Sequence, residues 1–259
     1  MIDCPVLVIS LVDALERRVR IARALELANL DFEFVDAIDG RKGLASDLAV
    51  SIDRCAAAAA LGRMMSDAEF ACSLSHRAAY RRIVDSGMQG AIVLEDDAQP
   101  SEAFVRLVHS GVLQRTRFVQ FDYGNAFAWR FTRTLACEAA DVRLHRSATN
   151  SPLATGYFLS AEAAAYLLDK TNPVALPADW PCDLRPLRPY LTIPRVVRSW
   201  AQTHDTSYLK AARDALRRNS VYQSPSDTGL NRSQMRNPLP KGFAYWRRLL
   251  CKRIPKARN

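Results

Sequence analysis

A long apolar run is the first feature that the sequence lacks. About half of the 259 residues are apolar, yet no stretch approaches the roughly 18 to 20 consecutive apolar residues that a membrane-spanning helix needs. The early run 5–9 is too short for the core of a signal peptide, and no basic segment precedes it. We therefore expect no membrane span, a first β-strand at this run, and a chain that stays in the cytoplasm.

Paired cysteines are missing as well. The six cysteines are scattered, with no C-x-x-C pair and no histidine at zinc-ligand spacing. A disulfide framework would be unusual in a chain of this length without an export signal. The sequence therefore predicts buried free thiols.

Acidic residues are absent from the end of the chain. After Asp227 the sequence has nine basic residues and no acidic one, and the formal net charge of the whole chain is +9. The rest of the protein is therefore electrically neutral. A protein that binds a nucleic-acid duplex would usually carry its positive charge on the folded face. We expect no nucleic-acid partner, and an anionic surface that the basic tail contacts.

The basic tail also has an apolar stripe. Before Pro255, apolar residues recur at helical spacing among arginines and lysines, at Phe243, Trp246, Leu250 and Ile254. This pattern is typical of a basic amphipathic helix that lies on a membrane. It predicts peripheral association with the anionic inner membrane. A disordered basic tail is the alternative.

Strand-like and helix-like segments alternate through the first two thirds of the chain, which is typical of an α/β domain. The continuous apolar run Ala91–Leu94 fits a strand that is buried on both faces. Six prolines within 172–194 predict an ordered loop that covers a site. We predict one α/β domain with a mainly parallel central sheet flanked by helices over 1–210. A polar helix and linker over 211–240 and the basic amphipathic tail over 241–259 would follow.

Three adjacent carboxylates, Glu95, Asp96 and Asp97, follow the apolar run. At the end of a buried strand they repel one another and lose hydration, so without a cation they cost stability. A hard divalent ion removes that cost and bridges readily to phosphates, and the carboxyl edge of an open α/β sheet is where ligands bind. The triplet indicates a metal site. A solvated acidic turn is the alternative.

Six short motifs occur between about residues 5 and 205: Ile9-Ser10-Leu11 with Arg17 and Arg18, Ala37–Gly40, Ala68–His76, Leu94–Ala98, Thr155–Ser160 and Pro177–Trp180. Together, and in this order, they resemble glycosyltransferase family 25, which comprises bacterial lipopolysaccharide galactosyl- and glucosyltransferases and their collagen-modifying relatives. Ser10 stands where the family usually has asparagine, and Ala68 and Ala71 replace two glycines. The resemblance implies a GT-A-like fold, inverting transfer from a UDP-hexose, and usually a divalent metal, Mn²⁺ or Mg²⁺.

The metal is expected on the acidic triplet. Asp97 is the first choice for a direct ligand because it is the last of the three and best placed to leave the strand. Asp96 and Glu95 are expected to bind the ion, its waters or the donor sugar. His204 could complete the metal shell.

Further donor-binding residues come from the other motifs. Leu11 and Arg17 follow the first strand, where a guanidinium group could meet the donor diphosphate; a solvated helix arginine is the alternative. Asp39 could hold the nucleoside or stabilise a turn. His76 lies among apolar neighbours on a helix, so both a site role and a buried core histidine are open.

An inverting transfer needs a base that takes a proton from the acceptor hydroxyl. We favour Asp179, because desolvation beside Trp180 could raise the pKa of its carboxyl and an indole ring suits sugar binding. Asp183 is the second choice. The alternative is that Asp179 caps a turn and Trp180 fills the core.

The sequence thus predicts an inverting glycosyltransferase that moves galactose or glucose from a UDP-sugar to a lipopolysaccharide or other saccharide acceptor. A metal-dependent phosphodiesterase or nuclease also uses clustered carboxylates, but it fits poorly with a neutral body. A non-catalytic membrane-associated scaffold is the third hypothesis, for which the substitutions at Ser10, Ala68 and Ala71 leave room.

Overall fold

The computed structural model describes residues 4–179, 181–200 and 249–254. Five α-helices are present in these residues: α1 (Leu15–Leu27), α2 (Arg54–Leu61), α3 (Asp67–Asp85), α4 (Glu102–His109) and α5 (Ala161–Lys170). Short 3₁₀ helices span Ser46–Ser51, Leu113–Arg115, Glu138–Ala140 and Arg185–Leu187. None of the helices in the described residues is long and apolar enough to cross a membrane.

Twelve β-strands lie in the same part of the chain: β1 (Val6–Ser10), β2 (Phe32–Asp36), β3 (Gly90–Glu95), β4 (Ala98–Pro100), β5 (Phe118–Gln120), β6 (Ala126–Trp129), β7 (Leu135–Cys137), β8 (Val142–Arg146), β9 (Gly156–Ser160), β10 (Tyr190–Ile193), β11 (Val197–Ser199) and β12 (Cys251–Ile254). Eight of them form one sheet in the order β2-β1-β3-β9-β5-β10-β8-β7. β11 pairs with β4 and β12 with β6 in two small antiparallel sheets.

The central sheet is mixed. Strands β2, β1 and β3 are parallel, and β5 is parallel to β10. Strand β9 runs antiparallel between β3 and β5, and β8 is antiparallel to both β10 and β7. The predicted α/β class is confirmed, while the expectation of a mainly parallel sheet is corrected to a mixed one. The direction of β9 could not be seen in the sequence, because a strand buried on both faces has the same apolar pattern in either direction.

Apolar side chains on both faces of the central strands build two core layers. On one face, Val6, Val8 and Ile92 pack in a cluster that also contains residues of α1 and α4. On the other face, Leu7 and Val93 pack in a cluster that contains residues of α3 and α5. This alternation follows from the two-residue period of a strand. The helices therefore cover the sheet on both sides, and the carboxyl edge of β1 and β3 stays available for a site.

The proline-rich segment contains a sheet strand that the sequence analysis assigned to loop. β10 lies between β5 and β8 in the central sheet, and Pro189 and Pro194 flank it. Neither proline occupies a position inside the strand, so no ladder hydrogen bond is lost. The prolines bound the strand, and the prediction of an ordered loop over 172–194 is wrong for Tyr190–Ile193.

The tail also differs from its prediction at its last described residues, Cys251–Ile254. Cys251–Ile254 forms a strand that pairs with β6, with Cys251 and Ile254 buried, whereas the sequence pattern predicted an amphipathic helix up to Pro255. The local spacing of apolar residues cannot show that β6 offers an open edge, and pairing with that edge outweighs a helical pattern. The rest of the tail lies outside the described residues, so the membrane contact stays a prediction.

Ile254→Ala is expected to lower the free energy of unfolding by about 2–4 kcal/mol, the usual cost of truncating a buried isoleucine. Ile254 is buried in a cluster with Tyr123, Ala126 and Leu191. Chemical denaturation would measure the change, with Leu249→Ala as the control, because Leu249 is exposed. Equal stability of the two variants would contradict the packing of β12 against this cluster.

Candidate active site

The acidic triplet lies at the carboxyl edge of the sheet, as the sequence predicted. Glu95 ends β3, its N–H donates to the carbonyl of Thr155 (2.9 Å), and the N–H of Asp96 donates to the carbonyl of Ile9 (3.1 Å). Asp97 accepts the N–H of Trp200 at its carbonyl (2.7 Å). These bonds to neighbouring segments hold the backbone of the triplet in place. Asp96 and Asp97 are both more than nine-tenths buried, so the solvated-turn alternative does not describe them.

Asp96 connects the triplet to the first motif. Its Oδ2 accepts a hydrogen bond from Ser10 Oγ (2.8 Å), and its Oδ1 forms an ion pair with Arg17 Nη1 (3.2 Å). Ser10 thus supplies this carboxylate with a side-chain donor. The structure brings Arg17 to the triplet, and its guanidinium is part-buried there, so a fully solvated helix arginine does not describe it. Its predicted contact with the donor diphosphate stays a prediction. A charge-assisted pair of this kind holds a carboxylate more firmly than a neutral hydrogen bond does.

Asp97 is held by a strand that the sequence analysis did not single out. Its Oδ2 accepts a hydrogen bond from Ser199 Oγ at 2.5 Å, and Ser199 lies in β11, opposite Ala98 of β4. The small β4–β11 sheet therefore orients the last carboxylate of the triplet. His204, which was predicted to complete a metal shell, lies outside the described residues.

Glu95 faces a buried histidine. His76 Nε2 lies 3.2 Å from Glu95 Oε1, and His76 Nδ1 lies 2.6 Å from the hydroxyl of Tyr157. Burial lowers the pKa of His76 to about 4, against the opposing charge of Asp179. The imidazole is therefore neutral at pH 7. The structure thus places His76 both in the buried core and against the triplet.

The pKa of Glu95 is raised well above its ordinary value, first by burial and then by the negative charges of Asp97, Asp179, Asp96 and Asp122. Like charges this close oppose each other's ionisation. Four other acids therefore act on one carboxyl at this edge. This negative potential is the main electrostatic feature of the site.

Asp122 is a site residue that the sequence analysis missed. It follows β5 at the same edge, is almost fully buried, and faces Arg195, with its Oδ1 3.6 Å from Nη1. Burial raises the pKa of Asp122 to about 6, although Arg195 lowers it. The signal was present in the sequence, because Asp122 directly follows the strand candidate 118–121 just as Glu95 follows 91–94. The same rule of acids at strand ends would have found it.

The two candidate bases differ in their surroundings. Asp179 is part-buried, and its charge acts on both Glu95 and His76. Asp183 is exposed and forms a bidentate pair with Arg185, which lowers the pKa of its carboxyl. The structure therefore brings Asp179 into the electrostatic range of the triplet, whereas Asp183 is paired with Arg185. Trp180 lies outside the described residues.

Asp39 and Leu11 lie near the first strands. Asp39 is exposed, and its hydrogen bonds from Arg41 lower the pKa of its carboxyl to about 2. Next to it, a Cβ at Gly40 would lie 2.7 Å from the Cβ of Ala71, so only glycine lets this loop approach α3 so closely. The carbonyl of Leu11 accepts a hydrogen bond from Arg18 Nε (3.0 Å). Asp39 thus stabilises its turn in the structure, with its carboxylate open to solvent.

The residues at the edge fit a hard divalent ion. Burial and then the neighbouring carboxylates raise the pKa of Glu95, so its charged form is destabilised, and a bound cation would remove that cost. Both oxygens of Asp96 already accept hydrogen bonds from Ser10 and Arg17. Asp97 accepts a hydrogen bond from Ser199, a neutral hydroxyl that does not cancel the carboxylate charge. Asp97 therefore suits a direct ligand better than Asp96.

The family model of glycosyltransferase family 25 (LPS biosynthesis protein) matches residues 3–181. The lacto-N-neotetraose biosynthesis glycosyltransferase LgtE of Neisseria meningitidis serogroup B is 28% identical over 182 residues, which are 67% of this chain and 62% of LgtE. The procollagen galactosyltransferase 1 of Danio rerio is 28% identical over 182 residues, covering 67% of this chain and 30% of that protein. The chain thus spans less than two thirds of the length of either relative.

Among solved structures, the mannose-1-phosphate geranyltransferase of Thermus thermophilus is 12% identical, with a TM-score of 0.31, covering 93% of this chain and 69% of that chain. This likeness is too low to bear on fold or function. The family match covers more than half of the chain and contains the triplet, His76 and Asp179. It gives no support to the phosphodiesterase or nuclease alternative. The chain belongs to glycosyltransferase family 25.

Proposed function

We propose that the chain transfers a hexose with inversion from a UDP-sugar to a saccharide acceptor, with a divalent ion at the acidic edge. One observation carries the proposal. The carboxylates of Glu95, Asp96 and Asp97 lie together at the carboxyl end of β3, where burial first and then the neighbouring negative charges raise the pKa of Glu95. A partly buried concentration of negative charge at a sheet edge suits a cation that also binds a diphosphate.

The residues at this edge divide the work of donor binding. Asp97 would hold the ion, oriented by Ser199, and Glu95 would contact the ion or the donor sugar. Asp96 would hold Arg17 in place, and the guanidinium of Arg17 would then meet the donor diphosphate. When bound, Mn²⁺ or Mg²⁺ neutralises the charge that develops on the departing nucleoside diphosphate.

Asp179 is the proposed base. A catalytic base has to lie close to the bound acceptor sugar, and its pKa has to lie near the working pH. Asp179 is part-buried and its charge acts on Glu95, so it lies within electrostatic range of the proposed donor site. Asp183 is exposed and forms an ion pair with Arg185, which lowers the pKa of the Asp183 carboxyl. This carboxylate is therefore a poor acceptor of the substrate proton.

Galactose is the first sugar to test. The Danio rerio relative carries the name procollagen galactosyltransferase, and its similarity supports UDP-galactose as donor ahead of UDP-glucose. The family description names lipopolysaccharide biosynthesis, which supports a lipopolysaccharide or lipooligosaccharide acceptor.

The experiment measures UDP release by the full chain from UDP-galactose and UDP-glucose, with Mn²⁺ and with EDTA, in the presence of a galactose- or glucose-terminated oligosaccharide. We expect UDP release that depends on the sugar nucleotide and on the ion. Donor turnover with UDP-glucose alone would correct the sugar but keep the reaction. The absence of turnover with both donors, while Mn²⁺-dependent UDP binding persists, would favour the non-catalytic scaffold.

A further inference from the structure

We propose that Cys72, His76 and Glu95 form a site for a thiophilic divalent ion, Zn²⁺, which shares Glu95 with the hard-metal site proposed at Asp97. One ligand atom from each residue can be chosen so that all three lie within 4.8 Å of one another. In the described parts of the chain, no other group of three cysteine, histidine or acidic side chains meets this condition. The proposal stands on this geometry and does not rest on the proposed function.

The backbone brings the three side chains together from two elements. Cys72 and His76 are four residues apart on α3 and therefore lie on the same face of the helix. A capping box between Ser66 and Glu69 sets the start of α3 and so the register of that face. Glu95 reaches the same point from the end of β3.

The spacing of His76 and Glu95 suits two ligands of a tetrahedral zinc ion. Zinc binds sulfur at about 2.3 Å and nitrogen or oxygen at about 2.0–2.2 Å, so its ligands lie roughly 3.3–3.7 Å apart. His76 Nε2 and Glu95 Oε1 already lie 3.2 Å apart. Cys72 is part-exposed on the same face of α3, and its Sγ completes the group of three ligand atoms within 4.8 Å of one another.

The hydrogen bonds around His76 present the ring nitrogen that a metal needs. The hydroxyl of Tyr157 donates to that of Tyr80 (3.3 Å), so it accepts the proton of His76 Nδ1 (2.6 Å). The lone pair is then on Nε2, which points at Glu95 Oε1. A lone pair and a carboxylate oxygen at this distance need a proton or a cation between them. Histidines that bind a metal through one ring nitrogen usually donate a hydrogen bond from the other, as His76 Nδ1 does to Tyr157.

Ligand softness separates this site from the acidic edge. Thiolate and imidazole select zinc, whereas Mn²⁺ and Mg²⁺ prefer oxygen ligands. On binding, the Cys72 thiol loses its proton to solvent, while Glu95 binds as a carboxylate and His76 in its neutral form. Three protein ligands leave the fourth position of a tetrahedral ion open. Since Glu95 belongs to both sites, zinc here would also cancel one negative charge of the triplet.

The test uses Co²⁺ as a spectroscopic substitute for zinc on the full chain, after removal of metals and without nucleotide sugar. We expect the near-ultraviolet absorption of a thiolate–Co²⁺ bond in the wild type and its loss in Cys72→Ser. Cys55→Ser is the matched control, because Cys55 is exposed on α2 and outside the group. The same band in Cys72→Ser, or no band in the wild type, would overturn the proposal.

Zinc affinity provides a second measurement that does not depend on sulfur. Competition with a chromophoric chelator should show at least about a tenfold loss of Zn²⁺ affinity in Glu95→Gln relative to wild type. Circular dichroism would verify that each variant is folded, and Cys72→Ala replaces Cys72→Ser if the serine variant fails this check. Unchanged zinc affinity in Glu95→Gln would show that the site lacks Glu95 and contradict the proposed ligand set. Because no donor is present, neither result depends on whether the chain transfers a hexose.

Discussion

Asp97→Asn is expected to lower the rate of hexose transfer by at least about a hundredfold and to remove the effect of Mn²⁺ on UDP binding. The change removes one negative charge but keeps the side-chain shape and an acceptor for Ser199 Oγ. A metal ion contributes several kcal/mol to a transition state, and each tenfold change in rate corresponds to about 1.4 kcal/mol. Isothermal titration of UDP with Mn²⁺ and with EDTA, combined with steady-state rates, measures both effects.

Asp85→Asn provides the charge-matched control for this experiment. Asp85 is exposed at the end of α3, and its substitution changes the net charge by the same amount. We expect wild-type UDP affinity and rate in Asp85→Asn. If the wild type bound UDP equally well with and without EDTA, the acidic edge would bind the donor without a cation, and the metal assignment to Asp97 would be wrong.

Asp179→Asn is expected to lower the transfer rate by at least about a hundredfold and to leave Mn²⁺-dependent UDP affinity nearly unchanged. The loss of a positioned base typically costs a factor of about 10² to 10⁴. The base contacts the acceptor hydroxyl, so donor binding does not need its charge. Separate measurements of UDP affinity and of the rate at saturating donor distinguish an effect on donor binding from an effect on the transfer step.

Asp183→Asn is the neighbouring control, four residues along the chain. Its carboxylate is exposed and held by Arg185, so we expect a rate within about twofold of the wild type. A hundredfold loss in Asp183→Asn, with an active Asp179→Asn variant, would transfer the base role to Asp183. A large loss of UDP affinity in Asp179→Asn would place Asp179 in the donor site instead.

Several residues at the site could be predicted because they depend on strand ends. An acidic triplet after a buried apolar run lies at the carboxyl edge of the sheet wherever the other strands lie, and Arg17, which follows the neighbouring strand, contacts Asp96 there. Asp122 follows the same rule. By contrast, Ser199 and Arg195 reach the edge through β11 and its neighbouring segment, and nothing in their local sequence marks that approach.

The sequence by itself determined the α/β class, the family, the position of the triplet and the capped start of α3, because these depend on local periodicity and on short motifs. Only the tertiary structure decided that β9 is antiparallel, that β10 enters the central sheet, and that Cys251–Ile254 is a strand. It also decided that Cys72, His76 and Glu95 meet. Strand direction, edge pairing and contacts between α3 and β3 depend on neighbours that are distant in sequence, and a local pattern carries no information about those neighbours.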